Sequence, residues 1–518
     1  GLLGVGLDEL ARRDAQRRQR QWAALAAGSV AGMALMTGLA GVALVSRNEA
    51  VRQRAEAEGL IGFMLTDLRK RLEPVGRLDL MDGIGPRALA YYNRQRPEDL
   101  DARSLSQRAE ALRLMGEISV QRGHLAVALR AFDAASATTG EIMARAPGDG
   151  QRVFDHAQNV FWVGNVAYQR GEWAKAERAL GDYLALAERL TAIDPRRDDW
   201  RMEVDYAEWS LGSLYLEEGR DREATDAFIR SLNIGQELVR RNPADTDKAL
   251  GLGQSHAWLA DALETQGRLG AAREQRLEEL AIYRRLLAVN KTLHMAQFST
   301  LVALRKLADI AMLSGQTKAA LIGYANAARQ AEALLEQQPD NMDLTGEVAV
   351  VEADLGEALF AAGRLDDAAL HQRRATALAA IALAHDPAVK HWQEYSAHAR
   401  LLEGELDARR GDKSGALGVD QATLASLGAS PPIGINTEAR WLLDRTRVQL
   451  GNDFAALGRV VEARRQWLAA ADDLTGPLDR YEPRLLVVLR EADARLGREA
   501  GARAAAHRLA TLLPAGAG

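Results

Sequence analysis

Residues capable of chemistry are plentiful in this sequence, but few of them sit at spacings that would let them act together. The nine histidines are scattered. His391 and His398 stand seven apart, so they share a helix face, with Glu394 between them. Two imidazoles and a carboxylate would begin a metal site, but such a site needs more ligands and Glu394 is the only nearby candidate; surface or groove histidines are the better reading. Gly1, Gly4 and Gly6 open the chain, yet no Lys-Ser/Thr pair follows them and no strand precedes them, so they do not make a phosphate loop. The absence of cysteine excludes thiolate catalysis, disulfides and cysteine-based metal sites. No Ser/His/Asp set can be assembled from spacing. The basic residues form no stripe and the net charge is only -5, which does not indicate nucleic acid. No catalytic, cofactor-binding or metal-binding residue is therefore assigned, and no cofactor is expected; the chain reads as a non-enzyme.

What does recur is a set of polar positions at fixed intervals. Glu117, Asn165, Ser213, Asp261, Asp309, Glu357 and Glu405 are each 48 residues apart, and five of the seven are acidic. Two flanking series share the interval. Arg113, Phe161, Trp209, Ala257, Arg305, Ala353 and Leu401 precede them by four; Val120, Tyr168, Leu216, Glu264, Met312, Phe360 and Ala408 follow by three.

The elements that carry these positions are helices. The 518 residues are rich in Ala, Leu, Arg and Glu, with 13 prolines and 5% aromatics, a composition that argues for an all-α protein. Glycines recur at 123, 171, 219, 267, 315, 363 and 411, every 48 residues, followed by Gly458 and Gly497 at shorter steps. Pro147, Pro195, Pro243, Pro339 and Pro387 keep the same interval, with Lys291 at the missing position. Glycine tolerates the left-handed backbone that ends a helix, and proline cannot continue a helix interior. Two marks per interval predict two helices of about 20 residues, after allowance for loops. The small residue seven before each glycine (Gly116, Gly164, Gly212, Ala260, Ala308, Gly356, Gly404) lets the two helices approach closely.

The pattern W/L-x-G/A-x-x-x-x-x-x-G-x-x-x-x-A, repeated from about Leu105 to Leu513, resembles the tetratricopeptide repeat (TPR). The usual unit of that family has 34 residues, so the helices here are expected to be longer. The resemblance implies an α-solenoid of antiparallel hairpins, right-handed, with the first helix of each hairpin lining a concave groove. By register, the acidic series would then face that groove. The candidate partner-binding residues are Glu117, Phe161, Tyr168, Trp209, Asp261, Asp309, Glu357 and Glu405: an acidic line with an aromatic patch, suited to a peptide with basic and apolar side chains. The alternative is that the acids are a solvated or helix-bonded face and the aromatics are core.

Trp22–Val45 runs 24 residues without a charge, long enough for a transmembrane helix. Arg12, Arg13, Arg17, Arg18 and Arg20 precede it and Arg47, Arg52 and Arg54 follow, so the positive-inside rule predicts a single-pass bacterial inner-membrane protein with a cytoplasmic N-terminus and a periplasmic repeat array. Gly28 and Gly32 form a small-xxx-small pair that could pack two spans together. The expected organisation is a juxtamembrane helix over 1–21 ending an upstream domain, a span over 22–45, a juxtamembrane helix and atypical capping hairpin over 46–97, and the array over 98–514. The opening GLLGVGLDELARRDAQRR resembles the end of a TIR domain in bacterial TIR–membrane–repeat signalling proteins.

These readings lead to one functional expectation: a membrane-anchored interaction scaffold or sensor arm that binds a peptide or protein and controls clustering of an upstream cytoplasmic effector. Two alternatives stand beside it. The chain could be the regulatory arm of a signalling enzyme such as a TIR-type NAD hydrolase, or a structural self-assembly module forming a homo-oligomer.

Overall fold

A computed structural model describes residues 22, 33, 36–49, 51–61, 63, 87, 90–92, 94, 102–121, 123–387, 389–428 and 438–512. Among the described residues the fold is all-helical, a TPR-like solenoid of antiparallel hairpins. Two compact units are present, Gly1–Arg145 and Ala146–Gly518.

In the first unit, α1 (Ala102–Gln121) and α2 (Leu125–Arg145) form a hairpin. Its core contains Leu112, Met115, Ala131 and Ala135, with Ile61 and Tyr92 packed into the same cluster.

Among its described residues the second unit has sixteen α-helices, besides a short 3-10 turn over Leu478–Arg480. They are α3 (Gly150–Gln169), α4 (Trp173–Ile193), α5 (Asp198–Glu217), α6 (Asp221–Arg241), α7 (Thr246–Thr265), α8 (Leu269–Val289), α9 (His294–Leu313) and α10 (Thr317–Gln337). Then come α11 (Met342–Ala361), α12 (Leu365–His385), α13 (Lys390–Arg410), α14 (Lys413–Gly428), α15 (Glu438–Ala456), α16 (Val460–Asp473), α17 (Pro483–Leu496) and α18 (Glu499–Leu512). Odd-numbered members are the first helices of hairpins and even-numbered members the second.

The turn glycines do what their chemistry allows. All nine, from Gly123 to Gly497, have φ between 68 and 91°. At Gly219 the amide donates to Leu216 O at 3.0 Å, and the Arg220 amide reaches back to Tyr215 O at 2.8 Å, so the last carbonyls of α5 are satisfied. Close approach also needs glycine: a Cβ at Gly212 would lie 2.7 Å from the Phe228 ring. Pro195, Pro243, Pro339 and Pro387 fall in the turns between hairpins of the second unit, and Pro147 in the turn before α3. At Lys291, where proline is missing, Asn290 Oδ1 accepts from the Thr292 amide at 3.1 Å and makes the turn instead. Asp149, Asp245 and Asn341 cap α3, α7 and α11 by accepting from amides in the first turn.

The last helices of the second unit return to its early hairpins. Arg480 Nη2 donates to Glu218 O at 2.8 Å, across 262 residues of sequence. Leu512 lies against the Gly267 turn. One apolar cluster joins Phe228, Leu232 and Leu263 to Trp441, Leu485, Leu489 and Leu509. The stack thus closes on itself, and its first helices surround an interior.

One expectation is corrected. Among the described residues no helix is long and apolar enough to cross a membrane. The helical run over 36–49 meets Arg47 and Glu49, and the helical residues 51–61 bring Arg52, Arg54, Glu56 and Glu58. A crossing needs about 20 consecutive apolar residues. The inner-membrane, single-pass localisation and the periplasmic array are overturned by this. Gly28, Gly32, the TIR-like stretch 1–18 and the turn expected at Gly76 lie outside the described residues.

Candidate functional site

The interior of the second unit holds a chamber of about 410 Å3. Six successive first helices line it: α7 through Glu264, α9 through Arg305, Lys306 and Asp309, α11 through Asp354 and Glu357, α13 through His391, Glu394, Tyr395 and His398, α15 through Glu438 and Trp441, and α17 through Arg484. Tyr324 of α10 completes the wall. The lining position drifts along the helices, from Glu264 beside the Gly267 turn on α7 to His391 at the opposite end of α13 from Gly411, so each hairpin contributes a different turn of its first helix.

Most of these charges are paired between hairpins. Arg305 Nε donates to Glu347 at 2.8 Å and Nη1 to Asp354 at 3.4 Å. Tyr324 donates its hydroxyl to Asp309 at 2.7 Å. His398 Nε2 lies 3.0 Å from Glu357 Oε1, and Arg445 bridges Glu357 and Glu405 at 2.8 Å each. Arg484 reaches Glu438 at 2.9 Å. Trp441 takes two guanidinium groups, Arg445 at 5.0 Å and Arg484 at 4.6 Å from its ring centroid.

The ionisation of these groups follows from their burial and neighbours. Burial opposes charge on Glu357, but Arg445 and His398 outweigh it and hold the carboxyl far below the usual range. Burial likewise disfavours the His398 cation, and Glu357 reverses this, pushing the imidazole up to about 9. Asp354 is raised by burial and then by Asp309. Burial, followed by Glu438, pushes Glu394 up to about 7.

A second cleft of about 390 Å3 shares His391 and Tyr395 with the chamber. Its wall is more apolar, with Met295, Phe298, Leu334 and Leu344.

The eight sequence-predicted groove residues are not brought together as one surface. Glu117 belongs to the first unit, where Arg113 pairs with it. Asp309 and Glu357 line the chamber. Glu405 adjoins it through Arg445. Asp261 instead pairs with Arg276 of α8, a buried arginine that also holds Glu279 at 2.9 Å. The aromatic positions pack in the early hairpins. Phe161 lies 5.3 Å from Tyr183 and edge-on to Trp162, and Tyr168 is edge-on to Trp173 with its hydroxyl 3.5 Å from Glu217. Trp209 stacks on Trp258 with centroids 4.8 Å apart. Sequence spacing did not single out Asp354, Glu438, Trp441, Arg445 or Arg484. His391, Glu394 and His398 do share the chamber wall, but the two imidazoles face different carboxylates, Asp343 at 3.6 Å and Glu357.

Known proteins resemble the chain only distantly. No family model matches the sequence, and no curated protein does. Among solved structures, the chain is similar to the apo form of RapI at 13% identity, with a TM-score of 0.48, over 80% of this chain and 97% of that one. It is also similar to the apo form of the quorum sensor NprR from B. thuringiensis, at 13% identity and a TM-score of 0.44, over 82% and 99%. A tetratricopeptide repeat protein from Parabacteroides merdae is similar at 15% identity and a TM-score of 0.35, over 66% and 99%.

Proposed function

We propose that the chain is a binding scaffold that captures a peptide or protein partner on the face lined by its first helices. The observation that carries this reading is the joining of six first helices around one chamber, with the more apolar cleft sharing its wall at His391 and Tyr395. Concave, partly apolar sites with a few fixed charges are the usual form of ligand sites. The charged groups support a binding role because they are held by one another across hairpins, as in Arg445 with Glu357 and Glu405. The acidic members Asp309 and Glu357 favour a partner with basic groups beside apolar ones. In this reading the scaffold is the sensor arm of an effector joined to it, and partner capture clusters that effector. The TIR-like resemblance of residues 1–18 suggests a signalling enzyme in that role.

Selection of displayed random peptides on the full chain tests the reading. Enriched peptides should be basic and apolar, and should lose binding to Trp441→Ala and to Glu357→Gln. They should keep binding to Glu336→Gln, an exposed position on the second helix α10. Failure to enrich any peptide, or enrichment insensitive to both chamber substitutions, contradicts it.

A further inference from the structure

The cleft beside the chamber differs from it in kind. Its floor is apolar and seated on the core: Leu344 is buried, and Phe298 and Leu334 are half-buried against the same cluster. Met295 lines the cleft while 62% exposed, so apolar surface is left open there. Tyr395 belongs to the wall shared with the chamber, and the His391 ring stands edge-on to it at 5.6 Å. A floor held by the core is preformed, and at about 390 Å3 the cleft has the size of a small ligand site.

The polar groups around this floor answer one another. His294 Nδ1 lies 3.3 Å from Gln297 Oε1, and Gln297 Nε2 donates to Lys291 O at 2.9 Å. Asn341 Nδ2 donates to Gln338 Oε1 at 3.1 Å, while Asn341 Oδ1 accepts from the Leu344 amide at 3.0 Å. Asp343, the one carboxylate of the lining, stands exposed to solvent 3.6 Å from His391 Nε2. No polar side-chain atom of the lining is buried without a partner. A charged occupant would leave water and find no answering group on the floor; an uncharged apolar occupant loses nothing there.

The walls also discriminate between apolar occupants. The rings of Phe298 and Tyr395 and the Met295 thioether border the same space. A ring gains from other rings set offset or edge-on, and from sulfur at its edge, beyond the area it buries. A branched aliphatic side chain gains the area alone.

We propose that the cleft is an anchor pocket for one uncharged aromatic side chain, phenylalanine or tryptophan, of the captured peptide. This rests on the reading of the first-helix face as a peptide-binding surface, and it names the residue class that fixes the peptide there. Aromatic anchors seated in well-packed pockets dominate the energetics of such interfaces.

Saturation-transfer NMR on the full chain tests the proposal with single-residue probes, the N-acetyl amides of tryptophan, phenylalanine, leucine, lysine and glutamate. The two aromatic amides should bind best. The leucine amide should bind about three-fold more weakly, and the lysine and glutamate amides at least about ten-fold more weakly. Met295→Trp puts an indole into the cleft from an exposed position, and should weaken the aromatic amides at least about ten-fold. Phe298→Leu removes a ring and keeps apolar volume; it should weaken the aromatic amides about three-fold and the leucine amide less. Glu336→Gln, on the exposed face of α10, should leave every probe as it was. Peptides enriched from the displayed library should share one aromatic position and lose binding to Met295→Trp. Equal binding of the leucine and tryptophan amides, charged amides that bind as well as aromatic ones, or aromatic binding that ignores Met295→Trp overturns the proposal. Peptides that enrich without a shared aromatic residue, on a protein that ignores the tryptophan amide, would overturn the anchor pocket and leave the scaffold reading standing. Aromatic amides that bind while no peptide enriches would sink the scaffold reading and, with it, the peptide as the source of the ring.

Discussion

The early and late first helices of the second unit differ in what they present. On α3 and α5 the concave positions are aromatic, and they spend their surface on packing: Phe161 on Tyr183, Tyr168 on Trp173, Trp209 on Trp258. On α9 to α17 the chamber groups are mostly ionic, and several are answered from a neighbouring hairpin, as with Arg305 and Glu347 or Arg445 and Glu405. The difference follows from closure. Where α17 and α18 return against the early hairpins, the concave face becomes interior, and ionic groups there are only partly open to water. Charges in such a place interact strongly and must be matched. Register alone says where a side chain points; the return of distant helices decides its environment.

The comparison can be broken by substitution. The largest effect is expected at Arg445, whose loss in Arg445→Met strands Glu357 and Glu405 together. A cost of about 3 kcal/mol in urea unfolding is expected, and less than about 1 kcal/mol would mean the ionic half is not interior. Trp209→Ala should cost a similar amount, about 3 kcal/mol, by removing half of the Trp258 stack. Its cost should come from packing, and so be insensitive to salt. Salt insensitivity at both sites would remove the distinction between the halves.

Next comes pH. Glu217, Glu279, Glu394 and Asp444 are each pushed up to about 7, in every case chiefly by burial. Raised folded values mean that the folded state binds more protons than the unfolded chain. Their stabilising contribution is complete below the ordinary carboxyl values and is lost as pH rises through about 7. His398, raised to about 9, adds a second loss as pH rises through that value. Glu357 and Glu438 are depressed, because burial is outweighed by Arg445 and Arg484 respectively, so they lose their contribution in acid. Stability should peak in mildly acidic solution and fall on both sides. The alkaline step should vanish in His398→Gln, and a flat profile from neutral to alkaline pH would contradict the assignment.

Glu264→Gln should stabilise the free protein by about 1 kcal/mol, since an amide is cheaper to bury than an unpartnered carboxylate. The smallest effect is expected at Arg364→Ala. That residue pairs with Asp367 one turn away on an exposed surface, and its loss should change stability by less than about 0.5 kcal/mol. A larger cost there would show that ion pairs on the outside matter as much as those within.

The hairpins were legible in the sequence because their signals are local. A positive φ selects glycine at Gly219 whatever lies far away, and proline at Pro243 ends a helix without help. The site was legible only in part. Asp309 and Glu357 followed from register, but Arg445 meets Glu357 across 88 residues, and Arg480 meets Glu218 across 262. Such meetings depend on a twist accumulated over many hairpins, and no single repeat encodes it. Phe161, Tyr168 and Trp209 carry the periodicity of a face, and periodicity did not show that each also packs against a ring on α3, α4 or α7.

The central claim is that the second unit closes on itself and so turns a groove into a chamber. The chain has no cysteine, so Arg222→Cys with Asp479→Cys gives a uniquely spin-labelled pair at exposed positions flanking the Glu218–Arg480 contact. Dipolar spectroscopy on the full chain should give one narrow, short distance distribution. A broad distribution centred at long distance would mean an open solenoid, and with it the loss of the chamber.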